Sequence, residues 1–473
     1  MKKMPILNPI SLVVTGFLLF SQVHAVTIAV IDSGTDVKHV NFKGKIWVNL
    51  GEDPSNERDD DGNDFPNDIN GWNFAENNNK LIDYKYGELY KNQDLFKFFE
   101  IQKKTFLNTI TAEDKAWLES KRSDALFIKQ LGVFGNFIHG THVSGISASL
   151  AQSPEIIGIK LLPTEAGASV KEAQIAASRL GLLRSSPGDG PVTSGPRIKI
   201  IQAAMSKLAQ QTAVTMGTVG RYVKAVKARV ANGSFGMGPA QAEMIVKTLF
   251  KVVFFREPVK EESVPLVKFF LAEANKAQAI LPNSSKSTLF VFAAGNDGSN
   301  NDVFPSAPAS VGGDNVISVA ATLGNESLAT FSNFGQAKVD IATPGVAIES
   351  PIPLDRTMAI SGTSQAAPRV ASAAARIIEI NPKLSPKEVK KILMETVDLR
   401  DYLVGKVKSS GSMNEIRASK AAELSLTLSL DSAISQSKTL VKPLASKLPN
   451  KLVNKKNVAL LPLVPMTSLI KLN

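Results

Sequence analysis

Short, largely apolar runs recur along this chain at residues 26–31, 156–162, 198–203, 228–233, 289–294, 316–321 and 339–342. Each is long enough for a strand buried on both faces. The stretches between them have helical spacing or loop composition, and this alternation predicts an α/β fold in which a parallel sheet is flanked by helices. In such sheets functional groups gather beyond the C-terminal ends of the strands. Asp32, Ser234 and Asn296 each fall just past one of the runs. Ser385-Pro386-Lys387-Glu388 combines an N-cap serine, a first-position proline and a third-position glutamate, which opens a helix predicted to reach about Thr396. A glycine turn at Ser361-Gly362-Thr363 leads into a small-residue helix, with Pro368 assigned to its first turn. Three segments, at about 80–135, 163–195 and 237–287, read as long insertions around the rim of this frame. The first has helical patterning that includes Leu95, Phe98, Phe99 and Trp117. No internal repeat is found.

The N-terminus changes the picture of where the protein works. Lys2 and Lys3 precede an apolar stretch from about Ile10 to Phe20, followed by Val23-His24-Ala25, a small-x-small cleavage pattern. Residues 1–25 read as a secretory signal, since the stretch is shorter than the roughly 20 residues that span a bilayer. The expected location is secreted or periplasmic, and a mature chain starting at Val26 leaves no room for an N-terminal propeptide. Cysteine is absent, so an exported fold must rely on core packing and bound metal rather than disulfides.

Formal charge adds one distinction. The net +11 falls to +9 without the signal, and the tail 426–473 carries +6 of that, from seven lysines against Asp431. A body near +3 gives no basis for nucleic-acid binding. The basic tail reads as a solvated segment, with contact to an anionic envelope surface as the alternative.

Three chemically distinct residues then stand out: Asp32 at a strand end, His139 in His139-Gly140-Thr141-His142, and Ser364 at a helix start. Of the four histidines, His24 leaves with the signal and His39 lies too near Asp32 to be an independent base. His139 is expected to open a glycine-rich helix and point its ring outward, with His142 packed behind it. Ser364 at a helix start is either a simple N-cap or a nucleophile surrounded by free backbone donors and partial positive charge. Asn296 is either a turn asparagine or a side-chain donor to an oxyanion. A different reading takes His139 and His142 as ligands of a hydrolytic metal, and another keeps the fold as a peptide-binding scaffold without catalysis.

Asp32-Ser33-Gly34, His139-Gly140-Thr141-His142, Ala294-Gly295-Asn296 and Gly362-Thr363-Ser364-x-Ala366-x-Pro368 together resemble the signatures of the subtilisin-like serine peptidases, the subtilases, across about residues 26–425. The chain order Asp, His, Ser is the one used by that type. The resemblance implies a subtilisin-like fold and a secreted serine endopeptidase acting on proteins or peptides, with no cofactor needed for the chemistry. It assigns Asp32, His139 and Ser364 to the triad and Asn296 to the oxyanion hole. Ser234, Phe235 and Gly236 would pair with extended substrate and border the specificity pocket, with Ala293, Ala294 and Gly295 on its other wall. The loop Asp59-Asp60-Asp61-Gly62-Asn63-Asp64, with Asp68 beyond it, is similar to an acidic loop of many subtilases. Asp59, Asp61, Asn63 and Asp68 are its candidate Ca²⁺ ligands, and a solvated acidic turn is the alternative. Gln365 stands where the family often has methionine, and the segment between Asp32 and His139 is long for the family.

Overall fold

The protein was analysed as a computed structural model that describes residues 25–165 and 191–445. Residues 1–24 of the signal reading, most of the 163–195 insertion and the tail from 446 onward lie outside the described residues. The strands are β1 (Val26–Asp32), β2 (Gly71–Asn73), β3 (Pro154–Lys160), β4 (Val230–Gly233), β5 (Leu289–Ala293), β6 (Val316–Leu323), β7 (Ser327–Leu328), β8 (Ile341–Pro344), β9 (Ile348–Ile352), β10 (Arg356–Ile360), β11 (Asp398–Leu399) and β12 (Gly411–Ser412). One sheet runs in the order β11-β12-β8-β6-β5-β4-β1-β3-β2, with β7 added to β6. Its pairings are parallel except β11 with β12 and β6 with β7. β9 and β10 form a separate antiparallel hairpin.

From β1 the chain first reaches the edge strand β2, returns to β3 beside β1, and then crosses to β4 on the other side before moving outward through β5, β6 and β8, so the direction of winding switches between β1 and β4. That switch point leaves a crevice beyond their C-terminal ends. Both faces of the sheet are covered, which is why its strands are continuous apolar runs. Along β1, Ile28 and Val30 enter one core while Ala29 and Ile31 enter the other.

The helices are α1 (Gln93–Phe106), α2 (Ala112–Lys121), α3 (Ala125–Ser147), α4 (Pro196–Ala225), α5 (Pro239–Phe254), α6 (Lys260–Gln278), α7 (Ile280–Ser284), α8 (Thr363–Ile380), α9 (Pro386–Glu395), α10 (Glu415–Leu424) and α11 (Leu430–Leu440). α8 lies along the central strands beside α3. Its buried alanines, among them Ala366, Ala367, Ala371 and Ala374, let the backbone approach the sheet closely. Met216, Val219, Tyr222 and Val223 of α4 pack on the opposite face. α9 begins with the reciprocal Ser385–Glu388 capping box anticipated from the sequence.

Four local expectations change. Residues 198–203 are not a strand but the start of α4. Ile198, Ile201, Met205 and Leu208 are buried at helical spacing, against α5 and α6 in a core of their own. Pro368 is inside α8, past its first turn, so the carbonyl of Ser364 loses its intrahelical donor. His139 does not open a helix, because α3 starts at Ala125, capped by Asp124, and the last part of the 80–135 insertion is its N-terminal half. Beyond residue 425, α11 packs Ala433 and Ile434 inward, and Arg417 donates to the Val441 carbonyl at 3.0 and 3.1 Å.

Candidate active site

The loop after β1 and the middle of α3 meet backbone to backbone. A Cβ on Gly140 would lie 2.1 Å from the Gly34 carbonyl oxygen, so only glycine permits this approach. Asp36 N–H donates to Thr141 Oγ1 at 2.9 Å, and the Thr35 and Ser144 hydroxyls pair at 2.8 Å. The contact brings His139 Nδ1 within 2.7 Å of Asp32 Oδ1. A carboxylate accepts, so Nδ1 carries a proton, and in the neutral ring the lone pair is on Nε2. Ser33 donates to the same oxygen through its N–H at 2.7 Å and its hydroxyl at 3.2 Å. The carboxylate is fully buried and its orientation is fixed by these three donors.

Ser364 is the second residue of α8, among the first-turn N–H groups that have no intrahelical acceptor. Its hydroxyl lies 3.4 Å from the Ser234 carbonyl. Val143, one turn beyond His139, belongs to the same core as Ala366 and Ala367, and α3 packs against α8.

Asn296 follows Gly295, whose φ of +111° favours glycine. Its Oδ1 accepts from Thr363 N–H and from the Thr363 hydroxyl, both at 2.9 Å. A backbone N–H can only donate, so the oxygen is the tied end and the NH₂ is the free one. A Cβ on Gly362 would lie 3.6 Å from both Asn296 Nδ2 and Ser364 N and 2.6 Å from Gln365 Oε1, so both nitrogens flank the Gly362 turn.

Ser234, Phe235, Gly236, Ala293, Ala294 and Gly295 all line one cleft of about 910 Å³ together with Asn296, Thr363 and Ser364. Two of them have structural duties. The Ser234 hydroxyl donates to the Ser364 carbonyl at 3.0 Å, which satisfies the group that Pro368 leaves without a partner. The Phe235 ring is buried against Phe292.

Sequence reasoning missed Asn333. It is completely buried, and its Oδ1 accepts from the N–H groups of Asp297 and Ser299 at 2.9 and 3.0 Å. Its Nδ2 donates to Asn301 and Ser306 at 3.1 and 3.0 Å. The loop carrying Asn296 is hung on this amide. Its only sequence signal was an asparagine in a Ser-Asn-Phe-Gly turn, indistinguishable from an ordinary turn residue.

His142 and His39 play other parts. His142 Nε2 is 3.1 Å from the Ile348 carbonyl and 3.0 Å from the Met358 carbonyl, which requires a proton on Nε2. Burial pushes its pKa down to about 3, helped by nearby His139. A neutral ring aimed at two carbonyls of the β9–β10 hairpin is placed as a strut, not as a partner of His139 in a metal site. His39 accepts from Asn41 N–H at Nδ1 and faces the Arg356 carbonyl with Nε2, tying the other end of the hairpin.

In the acidic loop, carboxylate oxygens of Glu52, Asp61 and Asp68 lie within 4.8 Å of one another. Asp59 is turned away and accepts from the N–H groups of Gly62, Asn63 and Asp64. Asn63 spends its oxygen on Phe65 N–H at 2.8 Å and presents its NH₂ to Asp61. Asp61 and Asp68 are thus brought together, Asp59 and Asn63 are not among the converging oxygens, and Glu52 joins from outside the motif. Burial drives Asp68 up to about 6, although Tyr222 and Asn49 donate to it. An all-oxygen set with repelling carboxylates fits a hard cation such as Ca²⁺.

A doubly wound sheet with a buried carboxylate–imidazole pair and a helix-borne serine at its switch point defines a hydrolase-type α/β scaffold. The sequence profile of the subtilase family matches residues 24–415, and the chain belongs to that family. It is 37% identical over 123 residues to alkaline elastase YaB of Bacillus sp. (strain YaB), covering 26% of this chain and 31% of that protein. Subtilisin BL of Lederbergia lenta is 35% identical over 141 residues, covering 30% of this chain and 46% of the relative. Subtilisin-like protease 1 of Plasmodium falciparum is 26% identical over 384 residues, 80% of this chain and 40% of that protein. The chain therefore spans about a third to a half of the length of these relatives. A solved cold-adapted subtilisin-like serine proteinase aligns over 82% of this chain and 86% of its own, with 19% identity and a TM-score of 0.43.

Proposed function

We propose that the protein is an exported serine endopeptidase that cleaves peptide bonds of proteins or peptides through an acyl-enzyme. The carrying observation is the 2.7 Å contact between His139 Nδ1 and Asp32, which leaves Nε2 as a base on the helix beside Ser364. In this reading His139 Nε2 takes the Ser364 hydroxyl proton as Oγ attacks the carbonyl carbon. The carbonyl π pair moves onto oxygen, where Asn296 Nδ2 and Ser364 N–H donate to it. The C–N bond then breaks, and His139 returns the proton to the leaving amine. Water, deprotonated by the same ring, releases the acyl group and restores Ser364. Asp32 stays ionised and holds the ring in the required tautomer.

The export reading rests on Lys2, Lys3 and the apolar stretch that precedes Ala25. Among the described residues no helix is long and apolar enough to cross a membrane. Glu52, Asp61 and Asp68 would hold a structural Ca²⁺, which supplies charge neutralisation and no chemistry. The basic tail 426–473 is, beyond the packed α11, a solvated segment in the same reading, with contact to an anionic envelope surface as the alternative.

A serine-directed phosphonate tests the proposal. It should add one mass increment on the peptide containing Ser364 and abolish hydrolysis of a fluorogenic peptide, and Ser364→Ala should block both. Hydrolysis that survives Ser364→Ala would exclude this mechanism.

A further inference from the structure

The insertion between Asp32 and His139 reaches the cleft at two levels. Phe98 of α1, Leu118 and Lys121 of α2 and Phe127 of α3 line the same cleft as Phe331 and Ser364. Eight residues beyond Phe98, about 12 Å along α1, the Phe106 ring rests on Phe331 with centroids 4.7 Å apart. Phe106 and the adjacent Leu107 are half-buried against the core that contains Phe331, Ala329 and Ala366. One end of the insertion is therefore seated on the sheet side of the cleft.

The other end is anchored more firmly. Phe98 and Phe99 are buried against Phe127 and Phe134 of α3, at centroid distances of 6.2 and 6.0 Å, in a core separate from the two that flank the sheet. Trp117 of α2 adds an edge contact to Phe127 at 5.8 Å. Lys121 with Asp94 at 2.6 Å and Lys104 with Asp114 at 3.0 Å tie α1 and α2 into one body. The pair is thus a strap, fixed to α3 by buried aromatic rings and touching down on Phe331 through two half-buried side chains. Ser364 is only 6% exposed, and the cleft of about 910 Å³ has the size of a pocket that encloses its ligand. It has room for a few residues of extended chain. A folded surface, which docks over about 800 Å² per partner, has no such area here while the strap is seated.

We propose that the α1–α2 strap, latched by Phe106 on Phe331, restricts the substrate to unfolded polypeptide, and that a segment held at both ends by a folded protein reaches Ser364 only when the latch opens. The latch is the weak point because it is apolar contact at one end of a body whose other end is built into a core. The inference rests on the peptidase reading for its reaction, and its test separates the two.

One cleavable peptide is offered free and as a surface loop of a stable folded carrier, and its cleavage is timed by mass spectrometry for the full chain, Phe106→Ala and Leu107→Ala. The full chain should cut the free peptide faster than the loop. Phe106→Ala should cut the loop about tenfold faster than the full chain does, the scale of one lost aromatic contact, and the free peptide less than about twofold faster. Leu107→Ala should act in the same direction. Hydrogen exchange of residues 93–121 should quicken in Phe106→Ala while that of residues 127–147 stays unchanged, which marks a released strap over an intact α3. In parallel, the inactive Ser364→Ala protein is titrated calorimetrically with the free peptide and with the loop carrier. Tighter binding of the free peptide, evened out in Ser364→Ala/Phe106→Ala, supports the strap even if the full chain cuts nothing, in which case the peptidase reading alone fails. Loop and peptide cut at equal rates by the full chain, or a ratio that neither Phe106→Ala nor Leu107→Ala changes, overturn the strap and leave the peptidase reading standing. Equal binding of both where nothing is cut overturns the two together.

Discussion

Asn296 Oδ1 is held by two donors of Thr363, the residue directly before Ser364. The carboxamide is thereby oriented with its NH₂ pointing away from Thr363, on the Gly362 turn that Ser364 N also flanks. Asn296→Ala should lower kcat by about 10²–10³ and change KM little, because the lost donor acts on charge that develops in the transition state. Steady-state kinetics on one peptide substrate measure this. An equal rise in KM at unchanged kcat would place Asn296 in ground-state binding instead.

A second prediction concerns the joint between Ser234 and α8. Pro368 frees the Ser364 carbonyl, and the Ser234 hydroxyl satisfies it at 3.0 Å. Ser234→Ala leaves a buried acceptor unpaired and should cost about 1–3 kcal/mol in denaturant unfolding. Pro368→Ala returns a backbone donor to the helix, so the double variant should lose less than the two single changes added together. Strict additivity would show that the hydroxyl and the proline are unrelated.

Acid stability should depend on His142. Its folded pKa is pushed down to about 3, below the ordinary value of about 6.5 in an unfolded chain. The unfolded state therefore binds the extra proton between those values. The stabilising contribution is complete above pH 6.5 and is lost as pH falls toward 3. Unfolding free energy measured across this window should rise with pH, and His142→Gln should flatten the slope. An unaltered slope would assign the acid sensitivity to other groups.

The cluster of Glu52, Asp61 and Asp68 gives the opposite sign. Asp68 titrates near 6 in the fold and near 3.9 when unfolded, so without a cation its contribution is present at low pH and disappears as pH rises through 6. Ca²⁺ binds only the ionised form. The rise in Tm on adding Ca²⁺, relative to a chelator, should be several degrees larger at pH 8 than at pH 5, and Asp68→Asn should shrink it. No Tm change at pH 8 would leave the cluster without a cation.

The frame was readable because both faces of the sheet are covered, which turns strands into uninterrupted apolar runs such as Val26–Asp32. The run at 198–203 misled because a short apolar stretch is the same length in a strand and in the first turns of a helix, and only the later Met205 and Leu208 extend the helical spacing. The His139 segment was legible, but its helix was misplaced: it was expected to open at His139, while burial of Phe127, Leu131 and Phe134 carries it back to Ala125. Glu52 carried no local signal and Asn333 only that of an ordinary turn asparagine, since their roles come from neighbours distant in sequence.

By itself, the sequence determined which residue types exist to do the work and where strands, turns and capped helix ends begin, because those follow from side-chain periodicity and local backbone preference. Only the tertiary structure decided which way each side chain faces. It set the proton on His139 Nδ1, the NH₂ direction of Asn296, the inward strut of His142, and the entry of Glu52 in place of Asp59 and Asn63 in the acidic cluster. Those outcomes depend on hydrogen-bond partners and close approaches between elements tens to hundreds of residues apart, which no local pattern encodes.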